Sequence, residues 1–196
     1  MSAAPDKQAL RAEFRRRRRT LPEAVRASET ALTVQRCLEL IARRGAGPVA
    51  SYLAHDGELD LDALHRHLWG TGQVVHVPRV RAPGELAWHA IQAEDRLVAG
   101  AYGIREANAA GTPETTLPGD VLLLVPGLAF AHNGERLGQG GGFYDRLLAR
   151  QGVVAVGVGF SCQRCDALPM EAHDRLVDGL ILGGVLVRDP GARLQP

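Results

Sequence analysis

The chain is poor in cysteine, in lysine and in aromatic side chains. Cys37, Cys162 and Cys165 are its 3 cysteines, too few and too odd in number for a disulfide framework, so a reducing cytoplasm is the expected setting. No apolar run approaches the ~18–20 residues of a transmembrane helix, which excludes a membrane-spanning chain of that type. The N-terminus, Met1 to Lys7, leads into a polar Arg-rich segment without an apolar h-region, so no secretory signal is expected. No Gly-x-Ser-x-Gly elbow and no Gly-Lys-Ser/Thr are present, which removes the usual hydrolase and Walker A loops. Lysine occurs once, at Lys7, among 23 Lys and Arg. It is a compact, mobile point charge that Arg does not duplicate.

What is present points to one globular unit. With 196 residues, 45% hydrophobic and 23% charged, residues 1–196 suit a single domain at ~100–200 residues each. The net charge of +1 hides an asymmetry: residues 1–44 hold 11 Lys and Arg against 5 Asp and Glu, or +6, which leaves −5 for the rest. An anionic ligand held by one end of the chain is one reading of that imbalance.

Helices and strands alternate along the sequence. A helix is predicted from about Asp6 to Arg19, with Leu10 and Phe14 four apart on one face. A second, with Pro22 in its first turn, runs to Arg44. Strands are predicted at Pro48–Ala54, Gln73–Val77 (ended by Pro78), Glu85–Ile91, Asp120–Val125 and Val153–Gly159, with a pair near Leu180–Val187. Further helices are expected at Leu59–Trp69 and Phe143–Arg150, and a loop-rich stretch at 93–119. This pattern predicts a three-layer α/β domain whose mixed, mostly parallel sheet carries helices on both faces.

The chemistry concentrates in Arg136-Leu-Gly-Gln-Gly-Gly-Gly-Phe-Tyr-Asp145. Four glycines in five positions let backbone N–H groups converge, and a helix start beyond them adds partial positive charge, a combination suited to phosphate. Gly141 is expected where the backbone nears that phosphate and takes φ > 0. Arg136 supplies a phosphate fork and Asp145 a possible metal ligand, although a carboxylate in a first helical turn gains ~0.3–1 kcal/mol from the dipole alone. Cys162-x-x-Cys165 has no second pair to complete a zinc ribbon. His65 and His67 point in different directions on a helix. The five consecutive arginines Arg15–Arg19 are the basis of a rival reading, a nucleic-acid-binding module, with Arg17 and Arg18 expected in solvent.

The glycine segment, with Val125-Pro-Gly-Leu-Ala-Phe130 before it, resembles the signature of the 5-formyltetrahydrofolate cyclo-ligase (5,10-methenyltetrahydrofolate synthetase) family. Lys7-x-x-Leu-Arg11, Tyr52 with Asp56-Gly-Glu-Leu-Asp60, Val77-Pro-Arg79, Gln163 and Pro169-x-Glu-x-His-Asp174 follow in the family's order. Three positions depart from it: Ala131-His132, Gln139 and Leu61. The resemblance implies ATP- and Mg²⁺-dependent closure of 5-formyltetrahydrofolate to the 5,10-methenyl compound through a phosphorylated formyl group. It implies ATP contacts from Lys7, Arg11, Arg136, Leu137, Gly138, Gln139, Gly140, Gly141, Gly142, Phe143 and Tyr144. Folate contacts are implied at His55, Glu58, Asp60, Gln139 to Gly142 and Phe143, with Mg²⁺ on Asp145 and Asp174. Arg136 and Asp145 would be the catalytic pair, and the first helix would dock on the active site. A monomer is expected, as is no nucleic-acid or membrane partner; a catalytically silent nucleotide binder of the same fold is the other alternative.

Overall fold

The computed structural model describes residues 6–82, 85–100 and 105–194; residues 1–5, where a leader would begin, lie outside the described residues. Among the described residues the α-helices are α1 (Lys7–Arg19), α2 (Glu23–Arg44), α3 (Asp62–Gly70) and α4 (Phe143–Leu148). The main sheet is assembled from β1 (Val49–Ala50), β2 (Val75–Ala82), β3 (Glu85–Ile91), β6 (Glu114–Thr115), β7 (Leu122–Val125), β10 (Val154–Gly159), β12 (Gly179–Leu182) and β13 (Val185–Arg188). Its order is β13-β12-β10-β7-β1-β2-β3-β6, with the run from β12 to β2 parallel and the outer strands antiparallel. The mixed, mostly parallel α/β reading holds.

Period-two alternation of apolar side chains distributes the core between the two faces. Leu122, Leu124, Val154, Val156 and Val158 pack with Cys37, Leu40 and Ile41 of α2 and Leu64 and Leu68 of α3. Leu123, Val125, Val153 and Ala155 turn the other way, onto Leu147 of α4. All of β7 and β10 is buried, so continuous aliphatic runs suit them. A small sheet of β8 (Ala129–Ala131), β9 (Arg136–Leu137) and β11 (Arg164–Cys165) sits beside this frame. Against it α1 lays Leu10 and Phe14, in contact with a cluster containing Leu128, Leu137 and Leu168.

Several boundaries differ from the sequence reading. The first strand is only Val49–Ala50, and α3 begins at Asp62 rather than Leu59. Strand β2 does not stop at Pro78 but runs on to Ala82. Pairing to β1 reaches only His76, while pairing to β3 continues through Pro78, so the missing N–H interrupts one edge of the strand and not the other. The expected loop at 93–119 holds an antiparallel pair, β4 (Leu97–Ala99) and β5 (Arg105–Ala107), and β6. The β8–β9 hairpin intervenes between β7 and the glycine segment. Among the described residues, no helix is long and apolar enough to cross a membrane.

Candidate active site

Strands β1 and β7 are parallel neighbours whose continuations leave in opposite directions, β1 toward β2 and β7 toward β10. In open α/β sheets such a reversal leaves a crevice at the carboxyl ends of the strands, where ligands bind. A cavity of about 510 Å³ lies here. Pro126 and Gly127, just past β7, form part of its wall, as does Glu58 from the segment after β1. Asp6, Lys7, Gln8 and Arg11 at the start of α1, the whole Arg136–Asp145 segment, and Glu171, His173 and Asp174 complete it.

Three chain segments distant in sequence meet in this wall through polar contacts. Lys7 Nζ donates to Asp174 Oδ2 at 2.6 Å and lies 3.0 Å from Glu171 Oε1. Hydrogen bonds to Asp174 and Glu171 hold the ammonium pKa up against the opposing effect of burial, and the Lys7 partnership holds the Asp174 carboxyl down. Arg11 Nε donates to the Gly138 carbonyl at 3.1 Å, and Arg15 to Gln139 Oε1 at 2.6 Å. The spacing of Lys7 and Arg11 places both on the face of α1 that covers the glycine turn.

Within the turn, the left-handed positions are Gly140 (φ 104°) and Gly142 (φ 63°), not Gly141. A Cβ at Gly141 would instead run into the Phe143 ring. Gly142 also precedes the first residue of α4. The turn needs glycine for two different reasons, backbone torsion and close approach.

Arg136 is buried and its guanidinium is held from three sides. Its terminal nitrogens donate to Asp145 Oδ1 at 3.1 Å and to the Pro126 carbonyl at 3.4 Å, and its carbon lies 5.6 Å from the Tyr144 ring centre. Its Nε has no protein partner. Both expected metal carboxylates therefore already neutralise a chain cation, Asp145 with Arg136 and Asp174 with Lys7. Among the described residues no group of three or more His, Cys, Asp or Glu could hold a metal ion. Asp145 and Asp174 both line the cavity, and Mg²⁺ is an ion that binds through one or two carboxylates with its remaining ligands from phosphate and water.

Glu58 forms another wall of the cavity. Burial raises its carboxyl pKa to about 7, against the pull of Arg18 and of the His55 N–H, which donates to its Oε2 at 3.2 Å. His55 itself is exposed and outside the cavity wall. Asp60 lines a separate groove along α2, shared with Glu58 and Phe160, and its Oδ1 accepts the Asp62 N–H at 2.7 Å at the start of α3. Glu171, Gln8, Pro126 and Gly127 were not among the expected site residues. Glu171 stood inside the Pro169-x-Glu-x-His-Asp174 pattern, but its side chain carried no role there.

The arginine run is committed within the protein. Arg15 bonds Gln139, Arg16 and Arg17 pair with Glu13, and Arg18 and Arg19 pair with Asp56. Arg18 is 1% exposed and donates to the Asp56 carbonyl at 2.5 Å, which corrects its assignment to solvent. Nothing here favours the nucleic-acid module. Of the Cys-x-x-Cys pair, Cys165 donates to the Phe130 carbonyl, and burial raises both thiols, that of Cys165 to about 11, so they stay protonated. His65 is a core histidine, bonded to Ser51 Oγ at 2.8 Å.

The 5-formyltetrahydrofolate cyclo-ligase family model matches residues 3–183. The 5-formyltetrahydrofolate cyclo-ligase of Haemophilus influenzae is 30% identical over 184 residues, covering 90% of this chain and 97% of that protein. The cyclo-ligase of Escherichia coli K12 is 34% identical over 134 residues, 66% of this chain and 74% of its own length. Among solved structures, the 5,10-methenyltetrahydrofolate synthetase of Aquifex aeolicus superimposes with a TM-score of 0.80 at 32% identity, covering 93% of both chains. On this match, across nearly its whole length, the chain belongs to the 5-formyltetrahydrofolate cyclo-ligase family.

Proposed function

We propose that the chain converts 5-formyltetrahydrofolate to 5,10-methenyltetrahydrofolate with ATP and Mg²⁺, releasing ADP and phosphate. The observation that carries this reading is the convergence of Lys7, Arg11, Arg136 and the glycine turn on one cavity that also holds Asp145 and Asp174. The formyl oxygen attacks the γ-phosphorus as the bond to ADP breaks; N10 then attacks the activated carbon, and phosphate leaves together with the N10 proton. Such transfer asks for positioning and charge neutralisation more than for covalent chemistry from the protein.

The chain's own groups divide that work. The Gly138–Gly142 turn presents backbone N–H donors, and Lys7 and Arg11 reach the phosphates from α1, which makes that helix part of the active site. Arg136, steadied by Asp145, supplies a fixed positive charge in the cavity wall. Asp145 and Asp174 would hold Mg²⁺, which neutralises phosphate charge when bound. Glu58, an acceptor when ionised, faces the pterin N–H donors, and Phe143 continues the wall beside it. Asp60 and His55 contribute through the Glu58 segment, Asp60 by starting α3 and His55 by its N–H to Glu58. The setting is the cytoplasm and the working state a monomer.

Purified protein incubated with 5-formyltetrahydrofolate and Mg-ATP should develop the methenyl chromophore. Absence of signal above a no-ATP control overturns the reading. ATP binding retained without turnover would instead favour the silent nucleotide binder.

A further inference from the structure

Asp6, at the mouth of the first helix, and Glu171 have no part in the proposed reaction beyond lining the cavity. Glu171 lies at the rim, its side chain 56% exposed, with Oε1 3.0 Å from Lys7 Nζ. Asp174, only 13% exposed, reaches the same ammonium at 2.6 Å. The Glu171 N–H donates to Asp174 Oδ2 at 2.7 Å. One short turn therefore presents two carboxylates as a fork around one cation. His173 Nε2 sits behind the fork, 3.5 Å from Glu171 Oε2 and 3.8 Å from Asp174 Oδ1.

The two arms of the fork are not equivalent. Asp174 is the inner arm and the one expected to turn toward Mg²⁺. A carboxylate that ligates a divalent ion has less charge to offer an ammonium, and the two cations repel each other. Lys7 would then lose its stronger partner at the moment it is needed beside phosphate. A lysine without an anchor spreads over many rotamers, at a side-chain entropy of up to ~2 kcal/mol. No other lysine exists in the chain to replace it, and Arg11, one turn away, is bonded to the Gly138 carbonyl.

Resting on the reaction proposed above, we infer that Glu171 is a positioning residue that keeps the Lys7 ammonium beside the nucleotide phosphates once Asp174 serves the metal. It touches neither substrate nor reacting atoms. Its effect therefore passes entirely through Lys7.

The single lysine makes this testable. In Glu171→Gln, the KM for ATP should rise roughly three- to fivefold, the range of a part-exposed ion pair. The KM for folate, the melting temperature and the Mg²⁺ concentration for half-maximal rate should stay as in wild type. On a Lys7→Ala background the same substitution should add nothing. Protein labelled with [¹⁵N]lysine should show one side-chain ammonium signal; it should persist on adding Mg-ADP to wild type and be lost to solvent exchange in Glu171→Gln. A shifted Mg²⁺ dependence would make Glu171 a metal ligand and overturn the inference. So would an equal KM rise on the Lys7→Ala background, or an ammonium signal unaffected by the substitution. If wild type forms no methenyl product, the proposed reaction fails, while the ammonium signal still decides whether Glu171 holds Lys7.

Discussion

Arg136 is a buried cation in the cavity wall. Its Nε lacks a protein partner, and Asp145 is the carboxylate facing it. Removing a charge from such a pair leaves the other buried and uncompensated. Asp145→Asn, isosteric and part-exposed, should therefore cost about 1–3 kcal/mol of stability, the penalty of a buried polar group left unsatisfied, read as a lower melting temperature. It should also lower turnover by ~10²–10³, the usual cost of one lost electrostatic stabiliser. An unaltered rate with unaltered Mg²⁺ dependence would reduce Asp145 to a first-turn helix carboxylate.

Glu58 gives a pH signature at the same scale. Burial raises its pKa from an ordinary 4.5 to about 7. Between those values the folded chain binds a proton that the unfolded chain has released, so this group makes stability fall as pH rises through the window. Below it both states are protonated and the group contributes no penalty; above it the full penalty of burying a charge applies. Glu58→Gln should remove the slope and gain roughly 1–3 kcal/mol at pH 8, with no gain near pH 4. Chemical denaturation at a series of pH values measures it, and parallel wild-type and variant curves would refute it.

At the scale of the element, α1 decides whether the cavity has a fourth wall. Its apolar contact is narrow: Leu10 and Phe14 rest on the small β8–β9–β11 sheet. Phe14 is 3% exposed, and Phe14→Ala at such a site costs about 3–5 kcal/mol. Most of that loss should appear as local release of α1, because the main core lies on the other elements. The expected result is faster proteolysis within residues 7–19 and a KM for ATP raised at least tenfold, with far-UV signal from the sheet retained. Global unfolding with no separate early cleavage would show α1 to be inseparable from the core.

Local pattern made this helix legible. Leu10 and Phe14 mark its buried face, and Lys7 and Arg11, also four apart, mark the face it turns to the glycine turn. The short strands were less legible. Strand β1 is two residues long, and β8 and β9 are formed by pairing to each other, so neither has a period long enough to read. Pro78 misled for the opposite reason: a local rule about its missing N–H was overridden by pairing on the other edge of β2. The glycine turn was readable as a turn, but its left-handed torsions fell at Gly140 and Gly142 because the path into α4 sets them.

For the whole molecule, the charge imbalance becomes an arrangement in space. Cations of the first 44 residues meet the later segments at the cavity and along α1, with Lys7 on Asp174 and Glu171 and Arg18 and Arg19 on Asp56. A nucleotide bound as proposed would bridge α1, the glycine turn and Asp174, and so stabilise them together. Mg-ADP at 100 times its Kd should stabilise the fold by about 2.7 kcal/mol, a rise of roughly 5–10 °C in Tm for a chain of this size. Thermal melting with and without Mg-ADP checks it, and no shift at any concentration would argue against the nucleotide site.

Sequence alone determined the alternating elements, the buried β7 and β10 strands and the phosphate-suited glycine segment, because each is written in neighbouring residues as periodicity, aliphatic runs or backbone freedom. It also placed the chemistry-bearing residues in an order that resembles one family. Only the tertiary structure decided which charges face one another. Arg18 went into the interior rather than solvent, Asp60 went to the start of α3 and outside the cavity, and Glu171 joined Asp174 around Lys7, 164 residues away. Those outcomes depend on the strand order β7-β1-β2, which opens a crevice at one sheet end and brings distant segments to it. Pairing over such distances is a property of the assembled sheet, and no window of neighbouring residues contains it.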